Sequence, residues 1–65
     1  MWTIDKVKAE LPDVPVSLPD GTIVTCPVRG RNLKFPVLHL PGGGTVEVAW
    51  DTLARVLNKN LHVIL

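Results

Sequence analysis

The stretch TIVTCPVRGRNLKFPVLHL, residues 22–40, carries the strongest β-strand signal in the chain. β-Branched residues are concentrated before Gly30, and a second largely apolar segment follows at residues 33–40. Gly30 between two arginines suits the first central position of a type II′ turn, which requires φ > 0 at that residue. We therefore predict a β-hairpin whose tip is formed by residues 29–32.

Pairing across this tip assigns the hairpin side chains to two faces, because successive side chains of a strand point to opposite sides. The predicted register sets Val28 opposite Leu33 and Cys26 opposite Phe35. The predicted inner face consists of Val24, Cys26, Val28, Leu33, Phe35 and Val37. The predicted outer face consists of Ile23, Thr25, Pro27, Arg29, Lys34, Pro36 and Leu38.

Two helices are predicted from apolar residues at helical spacing, one before the strands in the chain and one after them. In the first, Thr3 is placed to cap the helix and Pro12 to end it. In the second, Asp51 is placed as the N-cap and Asn60 as a left-handed C-terminal residue. The apolar residues 61–65 are expected to return as a short last strand.

These elements predict an α+β fold in a single domain, residues 1–65. It comprises an N-terminal helix, a twisted antiparallel sheet of three to five short strands, and a second helix near the C-terminus. The element order resembles that of a small SH3-like or Sm-like barrel, which is the alternative fold. The second helix is long for such a barrel and fits better a three-stranded sheet crossed by a helix. AP2-type and integrase arm-type DNA-binding modules have that layout, and there the exposed sheet face reads DNA.

A chain of 65 residues buries only about 60% of the surface that its unfolded form exposes. Domains of this size are often stabilised by a disulfide, a metal or a partner subunit. Cys26 is the only cysteine, so an intramolecular disulfide is excluded and a reducing compartment is indicated. No apolar run approaches the ~18 residues of a membrane span. We expect a cytoplasmic protein that does not enter a membrane, and its small contact area favours a homodimer or other homo-oligomer.

Charge is segregated along the chain although the net charge is only +1. Arg29, Arg31 and Lys34 lie between Gly21 and Val46, and all six acidic residues lie outside that segment. Arginines can bind phosphates with two parallel hydrogen bonds, and a two-stranded ribbon fits the major groove of DNA. The pattern predicts a regulatory or architectural module that binds nucleic acid, foremost DNA, through the hairpin and the exposed sheet face. The predicted site residues are Thr25, Arg29, Arg31, Asn32, Lys34, Arg55 and Lys59.

Two other interpretations of the hairpin stay open. Charged side chains at its tip also keep a hairpin soluble and block pairing at the sheet edge. Ile23, Pro36 and Leu38 on the predicted outer face would form a modest apolar patch for a protein partner, as in a small inhibitor or adaptor. The predicted outer face has no aromatic side chain on which a base could stack, which favours duplex over single-strand binding.

Neither catalysis nor metal binding is indicated. Cys26, His39 and His62 lack the paired spacing of a structural zinc site. The glycines at residues 42–44 are not followed by the Lys-Ser/Thr pair of a phosphate-binding loop. We therefore predict a small non-enzymatic binding module without a metal or cofactor.

Overall fold

A computed structural model describes residues 1–65, which form two helices and six short strands. The helices are α1 (Ile4–Glu10) and α2 (Trp50–Asn58). The strands, in chain order, are β1 (Val14–Ser17), β2 (Ile23–Cys26), β3 (Val28–Arg29), β4 (Val37–His39), β5 (Thr45–Glu47) and β6 (Val63–Ile64). The predicted α+β class is confirmed.

The strands form two three-stranded sheets, with the order β2-β1-β6 in sheet A and β3-β4-β5 in sheet B. Sheet B is antiparallel throughout, whereas β1 of sheet A pairs antiparallel with β2 and parallel with β6. Pro27 alone separates β2 from β3, and it has no N–H to donate to a ladder. Its carbonyl accepts from the His39 N–H at 3.1 Å. The chain therefore passes from one sheet to the other at Pro27, and the sheets do not close into a barrel.

The core is built from both helices and from strands of both sheets. α1 and α2 pack against each other, and α2 also contacts β1.

Burial raises the pKa of the Cys26 thiol, and the carboxylate of Asp13 adds to the effect. A buried thiol of this kind behaves as a small apolar side chain. The buried apolar residues are Val7, Val14, Val16, Cys26, Val28, Leu38, Trp50, Leu53, Ala54 and Val56.

Three of the four residues predicted at the helix ends are confirmed. The Thr3 side chain accepts from the Lys6 N–H at 3.1 Å and caps α1, which ends before Pro12. Asn60 has the predicted left-handed conformation, with φ 53°. The prediction of Asp51 as the N-cap of α2 is wrong, because α2 begins one residue earlier and Ala49 is its N-cap. With seven and nine residues, α1 and α2 are both too short to span a lipid bilayer.

The central hairpin is present, but its predicted turn and register are wrong. Arg29 pairs with Val37 and Val28 pairs with Leu38, so residues 30–36 form a long loop. Gly30 has a positive φ of 93°, as the sequence suggested. Its carbonyl, however, accepts from the Leu33 N–H at 2.9 Å, so the tight turn begins at Gly30 and not at Arg29.

The long loop reverses the faces of the returning strand. Leu38 and Pro36, predicted outside, are fully buried, whereas Phe35 and Leu33, predicted inside, are 45% and 53% exposed. The partner of Val28 is Leu38 instead of the predicted Leu33, so the register is shifted by five residues, an odd number. An odd shift exchanges the two faces of a strand, because the side-chain period is two. On the first strand of the hairpin, the predicted inward positions of Cys26 and Val28 are confirmed.

Trp2 joins the N-terminal segment to α2 within the same chain. Its N–H donates to Oδ1 of Asn58 at 2.6 Å, and its carbonyl accepts from Nδ2 of Asn58 at 2.8 Å. The half-buried indole packs against the core, and the Lys6 ammonium lies 4.8 Å from the ring centroid. Trp2 therefore has an intramolecular role in the packing of the two helices.

Candidate nucleic-acid interface

The loop of residues 30–36 is attached to α1 through Arg31. Its Nε donates to the Lys8 carbonyl at 2.7 Å, and its Nη2 donates to the Ala9 carbonyl at 3.2 Å. Carbonyls in the last turn of a helix lack intrahelical partners and carry the negative end of the helix dipole. The guanidinium satisfies two of these carbonyls, so Arg31 stabilises the end of α1 and fixes the loop beside it.

Trp50 attaches the same loop to the start of α2. The indole is 6% exposed, and its Nε1–H donates to the Leu33 carbonyl at 3.1 Å. The Lys8 ammonium lies 5.5 Å from the centroid of the Trp50 ring, within the range of a cation–π contact. The loop, the end of α1 and the start of α2 thus meet at one corner of the molecule.

Four cations lie at this corner or next to it in the chain, namely Lys8, Arg31, Arg29 and Lys34, hereafter the basic corner. Arg31 contacts the backbone of Lys8, and Arg29 and Lys34 lie within three residues of Arg31 in the chain. None of the four makes an ion pair, since the only one in the structure joins Lys6 to Glu10 at 4.0 Å. Their charge is therefore not neutralised by a carboxylate. Sequence reasoning missed Lys8, because the contacts that bring α1 to the loop, through Arg31 and through Trp50, join residues far apart in the chain.

The outer face of sheet B adjoins the basic corner. Arg29 lies across from Val37, which lies across from Glu47. The Pro36 carbonyl accepts from the Val48 N–H at 3.2 Å, which extends the ladder beyond β4 and directs Phe35 outward. The strand residues of this face are Arg29, Val37, His39, Thr45 and Glu47, and the exposed Phe35 precedes them on the same side.

Phe35 and Lys34 are in contact on this surface. The Lys34 ammonium lies 5.7 Å from the centroid of the Phe35 ring. The guanidinium of Arg29, which is exposed, turns back so that Nη1 donates to the Val28 carbonyl at 3.0 Å. An exposed aromatic ring thus lies beside the Lys34 ammonium just before the start of β4.

The remaining predicted site residues divide between this surface and two other places. Asn32 is exposed in the loop, beside the basic corner. Thr25 is exposed on β2 and belongs to sheet A. Arg55 is exposed on α2 and Lys59 is the exposed C-cap residue of that helix, where a rise of 1.5 Å per residue sets Lys59 about 13.5 Å beyond Trp50. The structure therefore brings together Arg29, Arg31, Asn32 and Lys34, and it separates Thr25, Arg55 and Lys59 from them.

The surface carries no pocket and no group of three or more side chains that could hold a metal ion.

Replacing Arg31 by alanine is expected to lower the melting temperature, because two hydrogen bonds to the end of α1 are lost. Exposed bonds of this kind contribute about 1 kcal/mol in total to stability. In a domain of this size, 1 kcal/mol corresponds to a shift of roughly 4–8 °C. Lys34→Ala removes no hydrogen bond and is the matched control, with a melting temperature close to that of the parent. Equal melting temperatures for the two variants, followed by circular dichroism, would contradict the structural role of Arg31.

Comparisons with known proteins add no identification: no protein-family model matches the chain, and no curated protein or solved structure matches it significantly.

Proposed function

We propose that this protein is a small non-enzymatic module that binds nucleic acid through the basic corner. The observation that carries the proposal is the gathering of Lys8, Arg29, Arg31 and Lys34 without a carboxylate partner. Phosphate groups supply most of the affinity of such contacts, and they are neutralised by Lys and Arg. The small size and the lack of a pocket favour a regulatory or architectural role. The single buried cysteine favours the cytoplasm as its location.

The four cations do not have equal roles in this proposal. Arg31 uses two of its five N–H donors on the carbonyls of Lys8 and Ala9, so donors remain for a phosphate. The side chains of Arg29 and Lys34 are exposed and make no hydrogen bond or ion pair with another element of the fold. They are therefore the two positions at which a substitution reports on binding without disturbing the fold.

Salt dependence tests the proposal. With four phosphate contacts, log K for a duplex is expected to fall with log salt at a slope of about −3.6, a loss of roughly a hundredfold between about 50 and 200 mM salt. Arg29→Ala and Lys34→Ala are each expected to reduce the slope by about 0.9. Fluorescence anisotropy with labelled single- and double-stranded oligonucleotides measures both quantities.

The control variants are Arg55→Ala and Lys59→Ala, which remove the same charge from the exposed side of α2. We expect the slope to change less in these variants, because α2 carries both residues away from the basic corner. A slope that changes equally in all four variants would contradict a local site. Failure to bind any oligonucleotide at low salt would overturn the proposal.

A protein-binding module remains the second candidate, on a different surface from the predicted one. Pro36 and Leu38 are buried, so the predicted Ile23/Pro36/Leu38 face does not form. Ile23 is 59% exposed on the outer face of sheet A, and Ile64, on the other side of Ser17, is 78% exposed. A partner bound there, including a second copy of the chain, would be lost on Ile23→Asp and would bind with little dependence on salt.

A further inference from the structure

We infer that the nucleic acid bound by this protein is single-stranded, and that Phe35 is the side chain on which a base stacks. The inference rests on the proposed function and names its substrate class. It is carried by the position of Phe35, which is 45% exposed in the loop just before β4 and next to Lys34 of the basic corner. The predicted register placed this ring in the core, where no base could reach it.

The exposed ring distinguishes between a single strand and a duplex. Bases in a duplex are stacked on each other, so a protein reads only their edges in the grooves and the phosphates outside. A single strand offers unstacked bases, which proteins bind on aromatic side chains at the surface of a sheet. Phe35 has no polar atom with which to read a base edge or a phosphate. Its ring face suits an unstacked base, whatever the sequence.

The neighbours of Phe35 form a path along β4. Val37 and His39 project from one face of β4 about 6.6 Å apart, since a strand rises about 3.3 Å per residue. Pro36, just before β4, is buried and its carbonyl accepts from the Val48 N–H at 3.2 Å, so alternation sets the exposed Phe35 ring on the same side as Val37. The exposed His39 imidazole provides a second ring for stacking. Thr45 lies across from His39 and provides a hydroxyl group for polar contacts.

The charged side chains along this path indicate on which side the phosphates of a bound strand lie. Arg29 borders this path on β3, and Glu47 borders it on β5. The Lys34 ammonium lies over the Phe35 ring, 5.7 Å from its centroid, and a base that stacks there displaces it toward the phosphate of that nucleotide. The backbone of the strand is therefore expected on the Arg29 and Lys34 side, away from the carboxylate of Glu47.

The test compares Phe35→Leu, which keeps an apolar side chain but removes the ring, with the parent protein. For a mixed-sequence single-stranded oligonucleotide, we expect affinity to fall about 5- to 150-fold, the range for loss of one stacked base. The salt slope is expected to stay unchanged, because no phosphate contact is removed. Phe35→Trp is expected to retain or strengthen binding.

Two controls separate stacking from other effects. Leu33→Ala changes a side chain of similar exposure in the same loop, and it is expected to leave affinity nearly unchanged. An oligonucleotide that carries abasic sites throughout keeps the phosphates but lacks the bases. Parent and Phe35→Leu are expected to bind this probe equally, and both more weakly than the parent binds the normal strand.

The outcomes distinguish the inference from the proposed function. Duplex binding that is as tight as single-strand binding would overturn the inference, and so would an affinity unaffected by Phe35→Leu; in either case the proposed function would stand. An equal loss of affinity for the normal and the abasic strand on Phe35→Leu substitution would also overturn the inference. If neither single strand nor duplex binds at low salt, the proposed function fails as well. Comparison of normal with abasic strands on the parent protein tests stacking even if a variant is poorly folded.

Discussion

Leu38→Ala is expected to lower the free energy of unfolding by about 2–5 kcal/mol, the range for removing a buried leucine side chain. Leu38 is completely buried, and its neighbours on the inner face of sheet B cannot fill the resulting cavity without moving. A domain of 65 residues has a stability of only roughly 3–10 kcal/mol, at about 0.05–0.15 kcal/mol per residue. This one substitution therefore removes a large part of the total stability.

Phe35→Ala is the matched control, and it is expected to cost only about 1 kcal/mol. Nearly half of the Phe35 side chain is already in water, so its removal takes little apolar surface out of the core. Urea denaturation followed by circular dichroism measures both free energies. A larger loss for Phe35→Ala than for Leu38→Ala would restore the register that the sequence suggested, and it would remove the exposed ring from the proposed site.

Trp50→Ala is expected to lower the free energy of unfolding by about 3–5 kcal/mol. The indole is buried among core residues and its ring makes a cation–π contact with the Lys8 ammonium. Its N–H donates to the Leu33 carbonyl at 3.1 Å. The substitution therefore creates a cavity and also releases the loop of residues 30–36 from α2. Both effects act on the corner at which the cations are gathered.

Trp50→Phe separates these two effects, because it keeps an aromatic ring in the core but removes the N–H donor. The expected loss is about 1–2 kcal/mol, since the hydrogen bond goes and the site is partly emptied. Amide hydrogen exchange in residues 30–36 is expected to accelerate, because the loop is then held chiefly by Arg31. A Trp50→Phe variant with unchanged stability and unchanged loop exchange would show that the indole does not anchor the loop.

Local interactions made several elements predictable from residue types alone. Thr3 caps α1 through its own hydroxyl, and Pro12 prevents the helix from continuing. In the turn before β2, the Asp20 carboxylate accepts from the Thr22 N–H at 2.9 Å, a bond that lowers the pKa of Asp20. These interactions join residues no more than a few positions apart, so sequence order already contains them.

The register of the hairpin depends on contacts between distant residues. A short turn at Gly30 was compatible with local preferences, but the loop is longer because Arg31 binds the end of α1 and Trp50 binds the Leu33 carbonyl. Those contacts span 23 and 17 positions. They move the pairing by an odd number of residues, which buries Leu38 and exposes Phe35.

Sequence therefore established the helices, the strand-rich middle and the segregation of charge, since each follows from neighbours along the chain. The division into two sheets, the addition of Lys8 to the basic corner and the exposure of Phe35 followed from long-range packing. The alternation of side chains along a β-strand specifies which residues share a face. It does not specify which of the two faces is buried after a loop. That choice depends on the loop length and on the elements that the loop contacts.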